Sequence, residues 1–261
     1  MSSPGRTWRS ATLVWLLCAV GLAQGQQEPG APTSPPPVDE KAVFRRATEM
    51  YEEKNYTGAL RAFQESANAK NTEAMAYLGL MYAGGQGTAV DYNQAMSWFR
   101  KAAEAGDGQA MCNVGILYYL GLGVPKRYDQ ALRWFSQSAA TGNIQAMFNM
   151  GVLYRDGLGV PMNYAEAMKW FLKAADGEND MAMNSIGALY EKGQGIPFDF
   201  TEAMKWYRKA ADLGNRSAMF NVGAMYEGGL GVSKDPEEAK KWYAKSGDEP
   251  RNSGGAFDLP H

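Results

Sequence analysis

Histidine occurs once in the 261-residue chain, at the last position, His261. Most acid–base, triad and zinc chemistry relies on a positioned imidazole, and that group is missing from the body of the chain. Cysteine occurs twice, at Cys18 and Cys112, with no metal-ligand spacing between them. No nucleophile stands beside a base, and no glycine-rich phosphate loop follows a strand. No catalytic, metal-binding or cofactor-binding residue is therefore expected. The carboxylates that remain for acid–base work are those of residues such as Asp156 and Glu191. Two asparagines, Asn55 in Asn-Tyr-Thr and Asn215 in Asn-Arg-Ser, are possible N-glycosylation acceptors, each at a predicted turn.

The elements that would carry these residues repeat. Ala110–Gly123 reads AMCNVGILYYLGLG, and the same pattern returns at a 36-residue interval from Ala74, Ala146, Ala182 and Ala218. Five copies at one spacing make a repeat array, a conclusion that precedes any reading of a single residue. The units are 72–107, 108–143, 144–179, 180–215 and 216–247. A shorter tetratricopeptide-like pair of helices over 41–71 precedes them, with Ala47, Met50 and Tyr51 on one face and Ala59, Leu60, Phe63 and Ala67 on the next.

Each unit predicts two helices. Helix A carries Ala-Met, a glycine and a tyrosine (Tyr82, Tyr118, Tyr154, Tyr190, Tyr226), and stops at a Gly-x-Gly loop. Glycine reaches the left-handed conformation of a helix C-cap without strain. Helix B starts at a capping residue (Asp91, Asn163, Asp199, Asp235); Arg127 breaks that column. Helix B continues with an alanine, then a tryptophan three residues on (Trp98, Trp134, Trp170, Trp206, Trp242), then phenylalanine or tyrosine. Alanine and tryptophan at this spacing share a helix face, so the indoles and the tyrosine column are expected to form the core between helices. Gly106, Gly142 and Gly214 make the turns between repeats. Asp176-Gly177-Glu178 puts its glycine one residue early, which predicts a local change of angle.

Composition sets limits. The chain is 45% hydrophobic and 21% charged with a net charge of −2, a globular balance without the basic footprint of a nucleic-acid binder. Arg6 and Arg9 precede an apolar run, Ala11–Ala23, which reads as a signal peptide over 1–25, cleaved after Ala23 or Gly25. Thirteen apolar residues fall short of the roughly 20 that cross a bilayer. No integral span is expected after cleavage, and the mature chain is expected to be periplasmic or secreted, or lumenal in a eukaryote. Residues 26–40 hold five prolines and read as a disordered linker; residues 248–261 read as a disordered tail.

The pattern A-M-x-N-x-G-x-L-Y-x-x-G-x-G-V-P, followed by A-x-x-W-F-x-K-A-A and G-N, closely resembles the Sel-one-like repeat family, relatives of tetratricopeptide repeats. The resemblance implies an all-α fold, a right-handed α-α solenoid of helix-turn-helix repeats, serving as a non-catalytic adaptor or scaffold. It also implies that helix A lines the concave face, where a peptide or helix of a partner protein would lie. The candidate contact residues are then Cys112, Ile116, Tyr119, Phe148, Val152, Arg155, Asn184, Glu191 and Phe220. The same apolar columns read equally as residues buried between helices. Asn113, Asn149 and Asn221, with Ser185, form a polar ladder that either binds an extended peptide or satisfies loop backbone within each repeat. The lysines of helix B read as a solvated outer face. Two alternatives stand beside the scaffold: an enzyme acting on cell-wall material through carboxylates, and a purely structural envelope module.

Overall fold

The computed structural model describes residues 39–247, so the readings of a signal segment, a carboxy-terminal tail and all but the last two residues of the linker lie outside the described residues. Among the described residues there are twelve helices and no strand. The chain divides into two compact units at Thr141/Gly142. The first holds α1 (Glu40–Glu52), α2 (Tyr56–Asn68), α3 (Thr72–Gly84), α4 (Tyr92–Glu104), α5 (Gly108–Leu120) and α6 (Tyr128–Ala140). The second holds α7 (Ile144–Asp156), α8 (Tyr164–Asp176), α9 (Asp180–Lys192), α10 (Phe200–Asp212), α11 (Arg216–Gly228) and α12 (Pro236–Ser246). Within each unit every helix packs on its sequence neighbours. Odd helices are helix A and even helices helix B.

The starts of the A helices obey one rule. Asn71, Asp107, Asn143, Asn179 and Asn215 each accept a hydrogen bond from the amide three residues on, at 2.7–2.8 Å. Such a cap is worth about 1 kcal/mol. This column was readable in the sequence as the residue after each inter-repeat turn. Helix B is capped by Asp91, Asn163, Asp199 and Asp235 as expected. Arg127 caps nothing; its guanidinium grips Asp129 of the first turn at 2.7 and 2.8 Å.

The glycine after each helix A is left-handed, with φ between +63° and +73° at Gly85, Gly121, Gly157, Gly193 and Gly229. The second glycine of the loop has a further duty. A Cβ on Gly231 would lie 2.3 Å from the carbonyl oxygen of Phe200, where α10 begins. The loop of one repeat thus leans directly on the helix-B start of the repeat before it.

The expectation of an indole core is corrected. The five tryptophans are only half-buried, whereas the residue after each is fully closed off: Phe99, Phe135, Phe171, Tyr207 and Tyr243. Both positions share the alanine's helix face, but the packing partner selects the second. A Cβ added to Gly79, Gly115, Gly151, Gly187 or Gly223 of helix A would stand 2.4–2.9 Å from the facing ring. The glycine lets the ring lie flat against the helix backbone, and each buried ring contributes about 1.5–3 kcal/mol. Trp98, Trp134, Trp206 and Trp242 still pack against the core from its edge, and four of the five indoles also meet a lysine. Lys101, Lys173, Lys209 and Lys245 hold their ammonium groups 3.8–4.3 Å from the centres of Trp98, Trp170, Trp206 and Trp242. The helix-B lysines are exposed, as expected, and make these contacts from the surface. Lys169 and Lys205 pair with Glu166 and Glu202 at 2.6 and 2.5 Å.

The odd turn at Asp176-Gly177-Glu178 closes with its neighbours' bonds. Glu178 N donates to Ala175 O at 2.9 Å and Asn179 N to Ala174 O at 3.2 Å, as Gly106 N does to Ala103 O and Asp107 N to Ala102 O. The departure is in the backbone. Gly177 has φ −93°, and Glu178 occupies at φ +60° the left-handed position that Gly106, Gly142 and Gly214 fill at other junctions and Lys70 fills before the first repeat.

Candidate functional site

Helix A turns one side to the core, and the exposure of its other side differs from repeat to repeat. On α7 the core side is Ala146, Met150, Gly151 and Leu153. Its other side presents Phe148, Val152 and Arg155, at spacings of four and three, all half-buried. Residues so spaced line one stripe of a helix. Phe148 meets Phe171 with ring centres 5.8 Å apart, so one edge is anchored and the other accessible. Arg155 holds Asp156 through two contacts of 2.6 and 2.8 Å.

The equivalent stripe on α5 is different. Cys112 has no exposed surface, and Ile116 is 5% exposed. Neither presents a contact surface. On α5 these two side chains are packed between helices, whereas Phe148, Asn184 and Phe220, in the column of Cys112, are half-buried. Cys112 forms no disulfide. Only Tyr119 stands half-open there, its ring edge-on to Tyr128 at 5.4 Å.

On α9 and α11 the stripe is polar and internally engaged. Asn221 Nδ2 donates to Asn184 Oδ1 at 2.9 Å, joining two repeats. Tyr207 donates its hydroxyl proton to Glu191, and Tyr243 does the same to Glu227 at 2.7 Å. Burial and the Glu191 carboxylate push the Tyr207 hydroxyl far above the ordinary tyrosine value. The pairing follows a rule within the chain. Where helix B carries a tyrosine in the ring position, helix A carries Glu191 or Glu227 to accept its proton. Where helix B carries Phe99, Phe135 or Phe171, the same place holds Ala83, Tyr119 or Arg155. Phe220 closes the row, half-buried against Tyr243 at 5.0 Å.

The polar ladder is hydrogen-bonded within the array. Asn113 is 1% exposed and accepts from Gln109 at 3.3 Å, Asn149 accepts from Gln145 at 3.3 Å, and Ser185 donates to Met181 O at 2.8 Å. These three partners lie one helical turn back, and Asn221 reaches Asn184 of the repeat before it. Asp156 and Glu191, the carboxylates of the enzyme alternative, are each held by a neighbour, Arg155 and Tyr207. Among the described residues no three potential metal ligands cluster, and no helix is long and apolar enough to cross a membrane.

One set of surface residues escaped the sequence reading. Val90, Met162 and Phe198 are 53%, 60% and 60% exposed, each just before a helix-B cap. The signal was available in the sequence: this column runs Val90, Lys126, Met162, Phe198, Lys234, apolar in three repeats at the edge of a polar loop.

The Sel1 repeat family matches residues 72–107, 108–143, 144–179, 180–215 and 216–249. The chain belongs to this family. Its helix pairs superpose on a protective antigen of uropathogenic Escherichia coli with an SLR fold, at a TM-score of 0.75 and 31% identity. That match covers 80% of this chain and 46% of the antigen, so the chain spans about half of the antigen's length. A Sel1 repeat protein from Oxalobacter formigenes matches at a TM-score of 0.73 and 30% identity, over 78% of this chain and 82% of that one. An immunity protein of Pseudomonas aeruginosa, Pa5087, shares the fold at a TM-score of 0.53 and 18% identity, over 83% of both chains. No curated protein matches the chain. The fold class is thus an all-α solenoid of helix pairs, in a family whose members generally act as protein–protein interaction scaffolds.

Proposed function

We propose that this protein is an exported scaffold that holds a peptide or helix of a partner protein against the open side of its A helices. The observation that carries the reading is the stripe on α7, where Phe148, Val152 and Arg155 stand half-open beside a packed core face. An aromatic anchor, a branched aliphatic and an arginine on one rigid helix suit a peptide or helix with apolar residues and a carboxylate. Tyr119 on α5 and Phe220 on α11 extend the same kind of surface within their own units. Cys112 and Ile116 support the fold instead, and Asn184 and Glu191 sit at the edge, held by Asn221 and Tyr207.

Export rests on the basic and apolar pattern of residues 1–25. Amino-terminal sequencing of the chain from fractionated cells tests it: a mature start near Gln24 or Gln26 supports export, and a retained Met1 counts against cleavage. The binding reading is tested by quantitative capture of partners from the native compartment with Arg155→Ala and Phe148→Ala. Loss of the same captured protein from both variants, with parent-like helical circular dichroism, supports it. Capture that neither variant changes overturns it.

A further inference from the structure

The two N-glycosylation motifs are equivalent in the sequence and unequal in the fold. Asn55 and Asn215 both cap a helix through Oδ1, accepting from Gly58 N at 3.2 Å and from Ala218 N at 2.8 Å. They differ in Nδ2, the atom that becomes glycosylated. Asn215 Nδ2 donates to Asp180 Oδ2 at 2.8 Å, tying the start of α11 to the start of α9, and the residue is half-buried. Asn55 lies exposed in the short link between α1 and α2, with Glu53, Lys54 and Thr57 exposed beside it. The acid Glu53 stands two residues before Asn55, whereas Leu213 stands two before Asn215, so a transferase that selects an acid there takes Asn55 alone.

We propose that Asn55 is the N-glycosylation site of this chain and that Asn215 is a structural asparagine that is not modified; this rests on the export reading. The co-reactant is an oligosaccharide carried on a polyprenyl pyrophosphate. Asn55 Nδ2 attacks the anomeric carbon and the C–N bond forms. The bond from that carbon to the pyrophosphate oxygen breaks, the lipid pyrophosphate leaves with the electron pair, and Nδ2 loses one proton to a base of the transferase. Oδ1 keeps its lone pairs, so the cap on Gly58 survives the modification. At Asn215 a glycan would have to enter between the starts of α9 and α11.

The test expresses the full chain, with its own amino terminus, in a secretory host that performs N-glycosylation. One mobility shift reversed by peptide-N-glycosidase is expected. Asn55→Gln and Thr57→Ala should each abolish it, the second while keeping the Asn55 cap, so that misfolding cannot explain the loss. Asn215→Gln should retain it. A shift that survives Asn55→Gln, two glycans, or no shift in a chain protected from protease inside microsomes would overturn the proposal. A chain that protease reaches overturns the export reading and the proposal with it; because protection is read separately, the two failures are distinguishable.

Discussion

Replacing Gly151 by alanine sets two effects of opposite sign against each other. Alanine is the better helix former by about 1 kcal/mol, so an open site in mid-helix would gain stability. Gly151 is not open: a Cβ there would lie 2.5 Å from both Cδ1 and Cε1 of Phe171. That ring has no exposed surface and is enclosed by the core of its unit. It has nowhere to go, so α7 and α8 must separate. Overpacking of this kind costs about 1–3 kcal/mol. Set against the propensity gain of about 1 kcal/mol, the net expectation is a loss of up to about 2 kcal/mol. Gly84 supplies the control, since its added Cβ would meet only Gln86 atoms at 3.6–3.8 Å, an ordinary contact. Gly84→Ala should be neutral or stabilising by up to about 1 kcal/mol.

Urea unfolding followed by circular dichroism and tryptophan fluorescence reads both variants. Phe171→Leu in the Gly151→Ala background adds the decisive arm, because the smaller side chain makes room for the methyl group. The double variant should be less destabilised than the sum of the singles by more than about 0.5 kcal/mol. A Gly151→Ala chain stabilised by the full gain of about 1 kcal/mol of an open site, or strictly additive effects with Phe171→Leu, would refute the account of the ring lying against the helix backbone.

Glu178→Gly relieves a left-handed non-glycine residue at φ +60° and should stabilise by about 0.5–1 kcal/mol, the strain relief less the greater chain entropy of glycine, measurable by thermal unfolding. Asp107→Ala removes the 2.7 Å cap of α5 and should cost about 1 kcal/mol by urea unfolding, whereas Asp107→Asn should change little. Burial and Glu191 raise the folded-state pKa of Tyr207 above the ordinary tyrosine value of 10.0, so its stabilisation is complete below pH 10 and is lost as pH rises beyond it. Stability should therefore fall on alkaline titration above pH 10, and Tyr207→Phe should flatten that fall while costing about 1 kcal/mol near neutrality.

The period, the helix pairs and the loop glycines were legible because they repeat, and repetition separates scaffold from accident. The indoles were misplaced for a definable reason. Positions three and four after an alanine share its helix face, and only the facing glycine decides which ring goes inward. That glycine was visible in every copy, but its meaning depends on a close approach of backbones that no single helix reveals. The candidate site was legible as columns and not as surfaces. Cys112 and Phe148 occupy the same register, yet one is sealed and the other half-open, because the side chains around each differ in size. The Asn215 motif was equally ambiguous until Asp180, thirty-five residues earlier in the chain, proved to hold its amide.

Internal variation is the usual guide to function in an array, and here part of it has a structural explanation. The column Ala83, Tyr119, Arg155, Glu191, Glu227 changes chemistry from repeat to repeat, which alone would mark it as contact surface. Glu191 and Glu227, however, track the tyrosines at 207 and 243, whose buried hydroxyls require acceptors. The two acids are complements of the core. Phe171 asks for no acceptor, and at the same place Arg155 pairs with the neighbouring Asp156 instead of a ring hydroxyl. Substituting Glu191 would leave the buried Tyr207 hydroxyl without its acceptor, whereas substituting Arg155 removes no acceptor from a core ring, so Arg155 is the one to substitute first in a search for the partner.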